Sequence, residues 1–239
     1  MTARLAIFDV DGTLLRTSGV DDECYVQAMD EVFGIRGMST DWGSYSHSTD
    51  GAILADLIRE RLGREPTAED AAIHRSRFVT LLEAVAAESP ERFAQTPGAA
   101  AALAALPERG WSAAIATGGW RASALLKLDR GRLDIAATAA AFADDALARE
   151  AIILHAAARA APGPSARVVY IGDGLWDLRA ARRLGIGFVG IASGERAAAL
   201  RAAGAAVVLA DFSDLAAFLQ ALEQALPEAG FVLSSAAMG

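Results

Sequence analysis

Thiols are nearly missing from this 239-residue chain: Cys24 stands alone, which excludes an internal disulfide and any thiolate metal cluster built from one chain, and fits a reducing cytoplasm. Lysine is as scarce, with Lys127 the single instance. The 22 basic residues face 30 acidic ones, a formal charge of −8, so no basic stripe exists for a phosphate backbone and no nucleic-acid partner is expected. Long apolar runs are also lacking. The run before Asp9 has the length of a strand, too short for a signal-peptide core or a membrane span, and the interrupted alanine tract from Ala99 to Ala105 favours helix, so no membrane partner is expected either. What the chain does have is apolar material, 53% of residues, enough for the core of one large or two modest domains.

The stretch Leu5-Ala6-Ile7-Phe8-Asp9-Val10-Asp11-Gly12-Thr13-Leu14 organises the rest. A short apolar run that ends in Asp and Gly reads as a central parallel strand, because such strands are covered on both faces and lose polar alternation. Ligands of open α/β sheets bind beyond the carboxyl ends of their strands. Asp9 and Asp11 sit two apart, on one face of an ideal strand, and Gly12 lets the chain turn at once. Two carboxylates so placed repel unless a cation or a shared proton compensates, and an oxygen-preferring divalent ion such as Mg²⁺ is the natural third party.

From Asp21 to Phe33 the pattern is helical, with Gly34 as its stop, followed by a polar and aromatic loop from Gly37 to Asp50. Further helices are expected from Gly51 to Leu62 and, behind the capping box Thr67-x-x-Asp70, through Val85. Past Pro97 helix and strand alternate: helix Gly98 to Leu106, strand Trp111 to Thr117, helix Trp120 to Leu128, a weak apolar stretch Ile135 to Phe142, and a helix opened by Asp144-Asp145 through about Ala161. Then come strand Arg167 to Asp173, a helix through Leu184, short strands Gly187 to Ile191 and Ala206 to Leu209, and helices Arg196 to Ala203 and Phe212 to Leu226. The tail from Pro227 shows no element. Repeated strand-helix units imply a doubly wound parallel-sheet α/β core, residues 1–15 and 95–239, with an all-helical insertion, residues 16–94.

The run Asp9-x-Asp11-Gly12-Thr13 closing an apolar strand resembles the first signature of the haloacid dehalogenase superfamily, in its branch of phosphoglycolate phosphatases and β-phosphoglucomutases with a helical cap. Thr117, with the free amides of Gly118-Gly119 before a helix, suits phosphate oxygens and matches the second motif, although relatives often carry Asn where this chain has Gly118. Gly172-Asp173-Gly174-Leu175-Trp176-Asp177 matches the fourth motif, its two Asp residues within one helical turn. Asp177 can equally be read as a helix N-terminal charge. Relatives usually supply a lysine as the third motif. Lys127 lies near the end of the helix after Thr117 and reads as a solvated charge there. Arg149, a cation placed early in a helix against its dipole, takes the role instead.

The resemblance implies Asp9 as nucleophile, Asp11 as acid and base, and Thr117, Gly118 and Arg149 as holders of the transferred phosphoryl oxygens. Mg²⁺ is implied on Asp9, Asp173, Asp177 and the Asp11 backbone carbonyl. The substrate expected is a small phosphorylated metabolite, hydrolysed through an aspartyl-phosphate. A phosphomutase shares almost all these residues, a haloacid dehalogenase shares the first, and a non-catalytic binding module is the reading from another class. The loop bearing Tyr45, His47 and Thr49 either faces the strand ends and selects substrate or is an ordinary capped linker. Trp120 and Trp176, beside the motifs, either line the entrance or pack.

Overall fold

The computed structural model of the protein describes residues 3–160, 165–227 and 231–232. Strand β1 (Arg4–Phe8) lies at the middle of a parallel sheet, between β2 (Trp111–Ala116) and β4 (Ser165–Gly172). With β3 (Ala139–Ala141), β5 (Gly187–Ile191) and β6 (Val208–Leu209) the order is β3-β2-β1-β4-β5-β6. The chain builds outward from β1 in one direction, returns at β4 and builds outward in the other. Strand order therefore reverses around β1, which is where such sheets open a crevice at their carboxyl ends. Register fixes what meets there: Phe8 lies opposite both Ile115 and Ile171, so the residues following β1, β2 and β4 emerge side by side.

The lack of polar alternation in β1 has the cause expected from the sequence. Leu5 and Ile7 face one core, with Val168 and Tyr170 of β4 and the buried stripes of α6 (Arg149–Ala160), α7 (Leu175–Leu184) and α8 (Gly194–Ala202). Ala6 and Phe8 face the other, with Val169 and Ile171, beneath α4 (Ala99–Ala105), α5 (Arg121–Arg130) and α9 (Leu215–Ala225). Phe8 is fully buried and packs 6.2 Å from the ring of Phe212 and 6.1 Å from that of Phe218. Truncating a phenylalanine at such a site costs about 3–5 kcal/mol.

Between β1 and α4 the insertion is helical. Helix α1 (Ser18–Phe33) ends at Gly34 in the left-handed region, α2 (Asp50–Leu57) runs on as a wider turn over Ile58–Leu62, and α3 (Ala68–Glu88) opens on the Thr67/Asp70 capping box. They share a separate apolar cluster that includes Tyr25, Met29, Leu54, Phe78 and Leu82, and that Trp120 and Ala143 join from the core side. Helix α1 begins three residues earlier than its apolar spacing suggests, which places Asp21 in its first turn.

The tail departs from expectation. Residues Phe231–Val232 form β7, antiparallel to Ser165 and Ala166, because β5 begins to pair with β4 only at Val169 and leaves those two residues an open edge. Two residues are too few to carry a periodicity. The rest of the tail and the end of the helix expected to reach Ala161 fall outside the described residues. Among the described residues no helix is long and apolar enough to cross a membrane.

Candidate active site

Asp9 follows β1 directly, its backbone N–H donating to Ile171 O at 2.9 Å, and is 4% exposed. Asp173 follows β4, and Asp177 sits in the first turn of α7, where it accepts from the Gly174 N–H at 3.0 Å. Carboxylate oxygens of Asp9, Asp173 and Asp177 all lie within 4.8 Å of one another, and all three residues are buried. The sequence alternatives for Asp177 thus coincide: it stabilises the helix start and joins the cluster.

Such crowding has electrostatic consequences. Burial, then Asp177, pushes the Asp9 pKa well above the carboxylate range, against the pull of Arg149. Burial and Asp177 likewise raise Asp173 to about 7, and burial raises Asp177 against Arg149. The arrangement carries more negative charge than its cations balance. An all-oxygen set this tight, with carboxylates short of countercharge, fits a hard divalent cation such as Mg²⁺.

Arg149 is the first residue of α6 and is buried. Its Nη1 lies 3.0 Å from Asp177 Oδ1 and 3.4 Å from Asp9 Oδ1, and donates to Tyr170 Oη at 3.2 Å, while Nη2 donates to the Ser48 carbonyl at 2.6 Å. A cation at a helix N-terminus has here the external reason that its position suggests. Burial works against its charge, but Asp177, Tyr170 and Asp9 more than offset it and hold the guanidinium protonated. Gly118 accounts for its own departure from the commoner Asn: a Cβ there would run into the Arg149 guanidinium and come within 2.6 Å of Ser48 O. Gly12 is constrained too, since it has φ +78° and a Cβ would strike the Asp173 carboxylate. Thr117 is buried, and its Oγ1 accepts the Gly119 N–H at 3.2 Å, which leaves the hydroxyl proton to donate.

Asp11 is held differently. Thr17 Oγ1 donates to its Oδ1 at 2.6 Å and Lys127 Nζ to its Oδ2 at 2.6 Å; Lys127 also donates to Asp21. The reading of Lys127 as a solvated charge is therefore corrected, because its side chain is fully buried. Burial alone would lower its pKa, but Asp11 and Asp21 outweigh that and raise it, so it stays an ammonium. A signal was present in the sequence: Lys127 falls on the same stripe of α5 as Ser123, Ala124 and Leu128, the buried one. Asp21, whose pKa is raised by burial and by Asp11, was the other residue that sequence reasoning missed.

The insertion closes over these groups. The cavity is lined by Asp9, Asp11, Thr117, Gly118, Arg149 and Asp173 from below, and by Trp42, Ser48 and Asp50 among others from the insertion. Of the loop residues singled out in the sequence, Tyr45 stacks beside Trp42 and donates to Ser39 O at 2.8 Å, and Thr49 is buried and donates to Leu147 O at 2.6 Å. Neither of these lines the cavity, nor does His47; their neighbours Ser48 and Asp50 do. Asp50 N donates to Gly118 O and Asp50 Oδ2 accepts the Trp120 N–H, both at 2.8 Å, so this loop is stitched to the segment after β2. The two tryptophans divide: Trp120 is buried in the insertion cluster and Trp176 lines the cavity.

Fold and site define an α/β protein with an acidic centre at the point where the sheet's strand order reverses. Residues 3–185 match the haloacid dehalogenase-like hydrolases, and the chain belongs to that family. Among solved structures, a hydrolase from Pseudomonas syringae superposes with a TM-score of 0.70 at 27% identity, over 92% of this chain and 98% of that one. CbbY from Rhodobacter sphaeroides, solved in complex with phosphate, shares the fold at 22% identity and a TM-score of 0.63, over 90% and 96%. A predicted phosphoglycolate phosphatase from Haemophilus somnus shares it at 17% and 0.61, over 92% and 99%. No curated protein matches the chain in sequence.

Proposed function

We propose that the protein is a Mg²⁺-dependent phosphatase that hydrolyses a small phosphorylated metabolite through an aspartyl-phosphate. In this reading residues 16–94 act as a cap over the core formed by 1–15 and 95–239. The observation that carries the reading is the buried trio Asp9, Asp173 and Asp177, within 4.8 Å of one another and short of countercharge. Those three, with the Asp11 backbone carbonyl, would hold Mg²⁺. When bound, the ion offsets the repulsion between an anionic nucleophile and an anionic phosphate.

Asp9 attacks phosphorus with one carboxylate oxygen, forming an O–P bond as the bond from phosphorus to the substrate's ester oxygen breaks. Asp11, whose oxygens accept from Thr17 and Lys127 in the free protein, takes a proton from the bound phosphate monoester monoanion and passes it to that leaving oxygen, then takes one from the water that attacks phosphorus in the second step, which returns Asp9 as a free carboxylate. Thr117 Oγ, the backbone at Gly118 and the Arg149 guanidinium hold the transferred oxygens in both steps. Closure by the insertion limits access to small substrates and excludes bulk water.

The test is phosphate release from a panel of small phosphorylated metabolites, with Mg²⁺ and with EDTA, in wild type and Asp9→Asn. Wild type should release phosphate only with the metal, and Asp9→Asn should release none while remaining folded. Substantial Mg²⁺-dependent turnover by Asp9→Asn would exclude the covalent route. Isomerised sugar phosphate in place of free phosphate would make the protein a mutase.

A further inference from the structure

Above the reacting carboxylates the cavity wall comes from the insertion, and it is acidic and aromatic. Asp50 is 7% exposed; its Oδ2 accepts the Trp120 N–H, while its other oxygen has no hydrogen-bond partner among the described residues and belongs to a side chain that lines the cavity. Asp22 is partly exposed, lines the cavity and accepts the Trp42 indole N–H at 2.8 Å, and among the described residues it makes no ion pair. The rings of Tyr25 and Trp42 line the same wall, edge to face at 5.8 Å. The cations that reach the cavity are already engaged: Arg149 with Asp9 and Asp177, and Arg196 with Asp173. Lys127, which does not line it, is held between Asp11 and Asp21.

We propose that this wall selects phosphate monoesters whose alcohol portion carries an ammonium group, such as amino-alcohol or amino-sugar phosphates. The proposal rests on the phosphatase reading for the phosphate end and deepens it at the other end. An ammonium offers three donors, which suit the open oxygens of Asp50 and Asp22, and aromatic rings attract a cation beside them. A second anion on the substrate meets the carboxylates of Asp22 and Asp50, which make no ion pair among the described residues. A neutral hydroxyl gains hydrogen bonds without the charge term.

Three compounds of nearly equal size separate these cases: O-phosphoethanolamine, 2-hydroxyethyl phosphate and phosphoglycolate, which end in an ammonium, a hydroxyl and a carboxylate. Their affinities for Asp9→Asn protein with Mg²⁺, measured by calorimetry, should fall in that order, with steps on the order of tenfold, as expected for gain or loss of a charge-assisted hydrogen bond. Values of kcat/KM on wild type should follow the same order. Asp22→Asn and Asp50→Asn should each shrink the ammonium-to-hydroxyl ratio, and Asp22→Asn, at a partly exposed site, keeps the test valid if Asp50→Asn fails to fold. Equal affinities, or phosphoglycolate binding tightest, would overturn the proposal. If wild type hydrolyses neither these compounds nor a generic aryl phosphate, the phosphatase reading falls, while the binding order still decides the selectivity of the wall.

Discussion

Lys127 Nζ lies 2.6 Å from Asp11 Oδ2 and also donates to Asp21, so the single lysine of the chain joins the turn after β1 to the first helix of the insertion. All of its charge is spent inside the protein. Removing it would leave two partly buried carboxylates without their shared cation.

Lys127→Met should therefore destabilise the protein in denaturant unfolding, by at most about 3–5 kcal/mol, the penalty for breaking a fully buried pair from one side. Lys127→Met combined with Asp21→Asn should recover part of that loss. A single variant within about 1 kcal/mol of wild type would show the bridge to be energetically idle.

Arg149→Lys tests the fork geometry. A lysine keeps the charge but cannot reach Asp177, Tyr170 Oη and Ser48 O at once, as the two guanidinium nitrogens do. The expected outcome is a fall in kcat/KM of about ten- to a hundredfold with an unchanged circular-dichroism spectrum. Full activity with lysine would mean that charge alone is needed.

His74 is fully buried among the rings of Tyr25, Phe33 and Phe78, and burial, outweighing the Tyr25 backbone, pushes its pKa down to about 4. With a folded pKa below the unfolded value, the unfolded state binds the proton more tightly, so stability drains away as pH falls from about 6.5 toward 4. The loss from this group approaches about 3 kcal/mol at the acid end. Thermal melts of His74→Phe and wild type should separate in favour of the variant as pH is lowered from 7.5 to 4.5. A constant gap across that range would refute the assignment.

Asp173 has the opposite shift, up to about 7, caused first by burial and then by Asp177. Its folded form holds the proton more tightly than the unfolded chain does, so metal-free protein loses stability from this group as pH rises from about 4 to 7. In EDTA at pH 8, Asp173→Asn should melt above wild type, and only wild type should gain a large upward shift on adding Mg²⁺. A variant that melts lower in EDTA, or gains as much from the metal, would contradict this.

The strand ends of the candidate site could be read from the sequence because a fully buried parallel strand is a continuous apolar run, and polar residues at its end stand out against it. Asp9, Thr117 and Asp173 come together for that reason, and Arg149 joined them because a cation opening a helix needs an external partner. Lys127 and Asp21 were hidden by a different logic. The burial of Lys127 shows in its stripe on α5, but its pairing with Asp21 depends on where α1 of the insertion comes to lie relative to α5 of the core, which no local pattern encodes. The wall residues Ser48 and Asp50 stood one position away from the polar loop residues that drew attention, and a loop without periodicity does not say which side chains turn inward. β7 was too short to leave a trace.

The stitches between residues 48–50 and the segments around Gly118, Trp120 and Leu147 bear on how this architecture can be recombined. Ser48 offers its carbonyl to Arg149, Thr49 its hydroxyl to Leu147 O, and Asp50 both its N–H and its carboxylate to the stretch after β2. A foreign insertion grafted onto this sheet would arrive without the donors and acceptors that these groups require, and would leave the Gly118 carbonyl and the Trp120 N–H unmet in a buried place. Graft boundaries drawn at the connecting segments alone should yield poorly folded chimeras. Swaps that carry residues 48–50 together with 117–120 and 147–149 keep the seam intact, so those three stretches form one unit of inheritance although they are far apart along the chain.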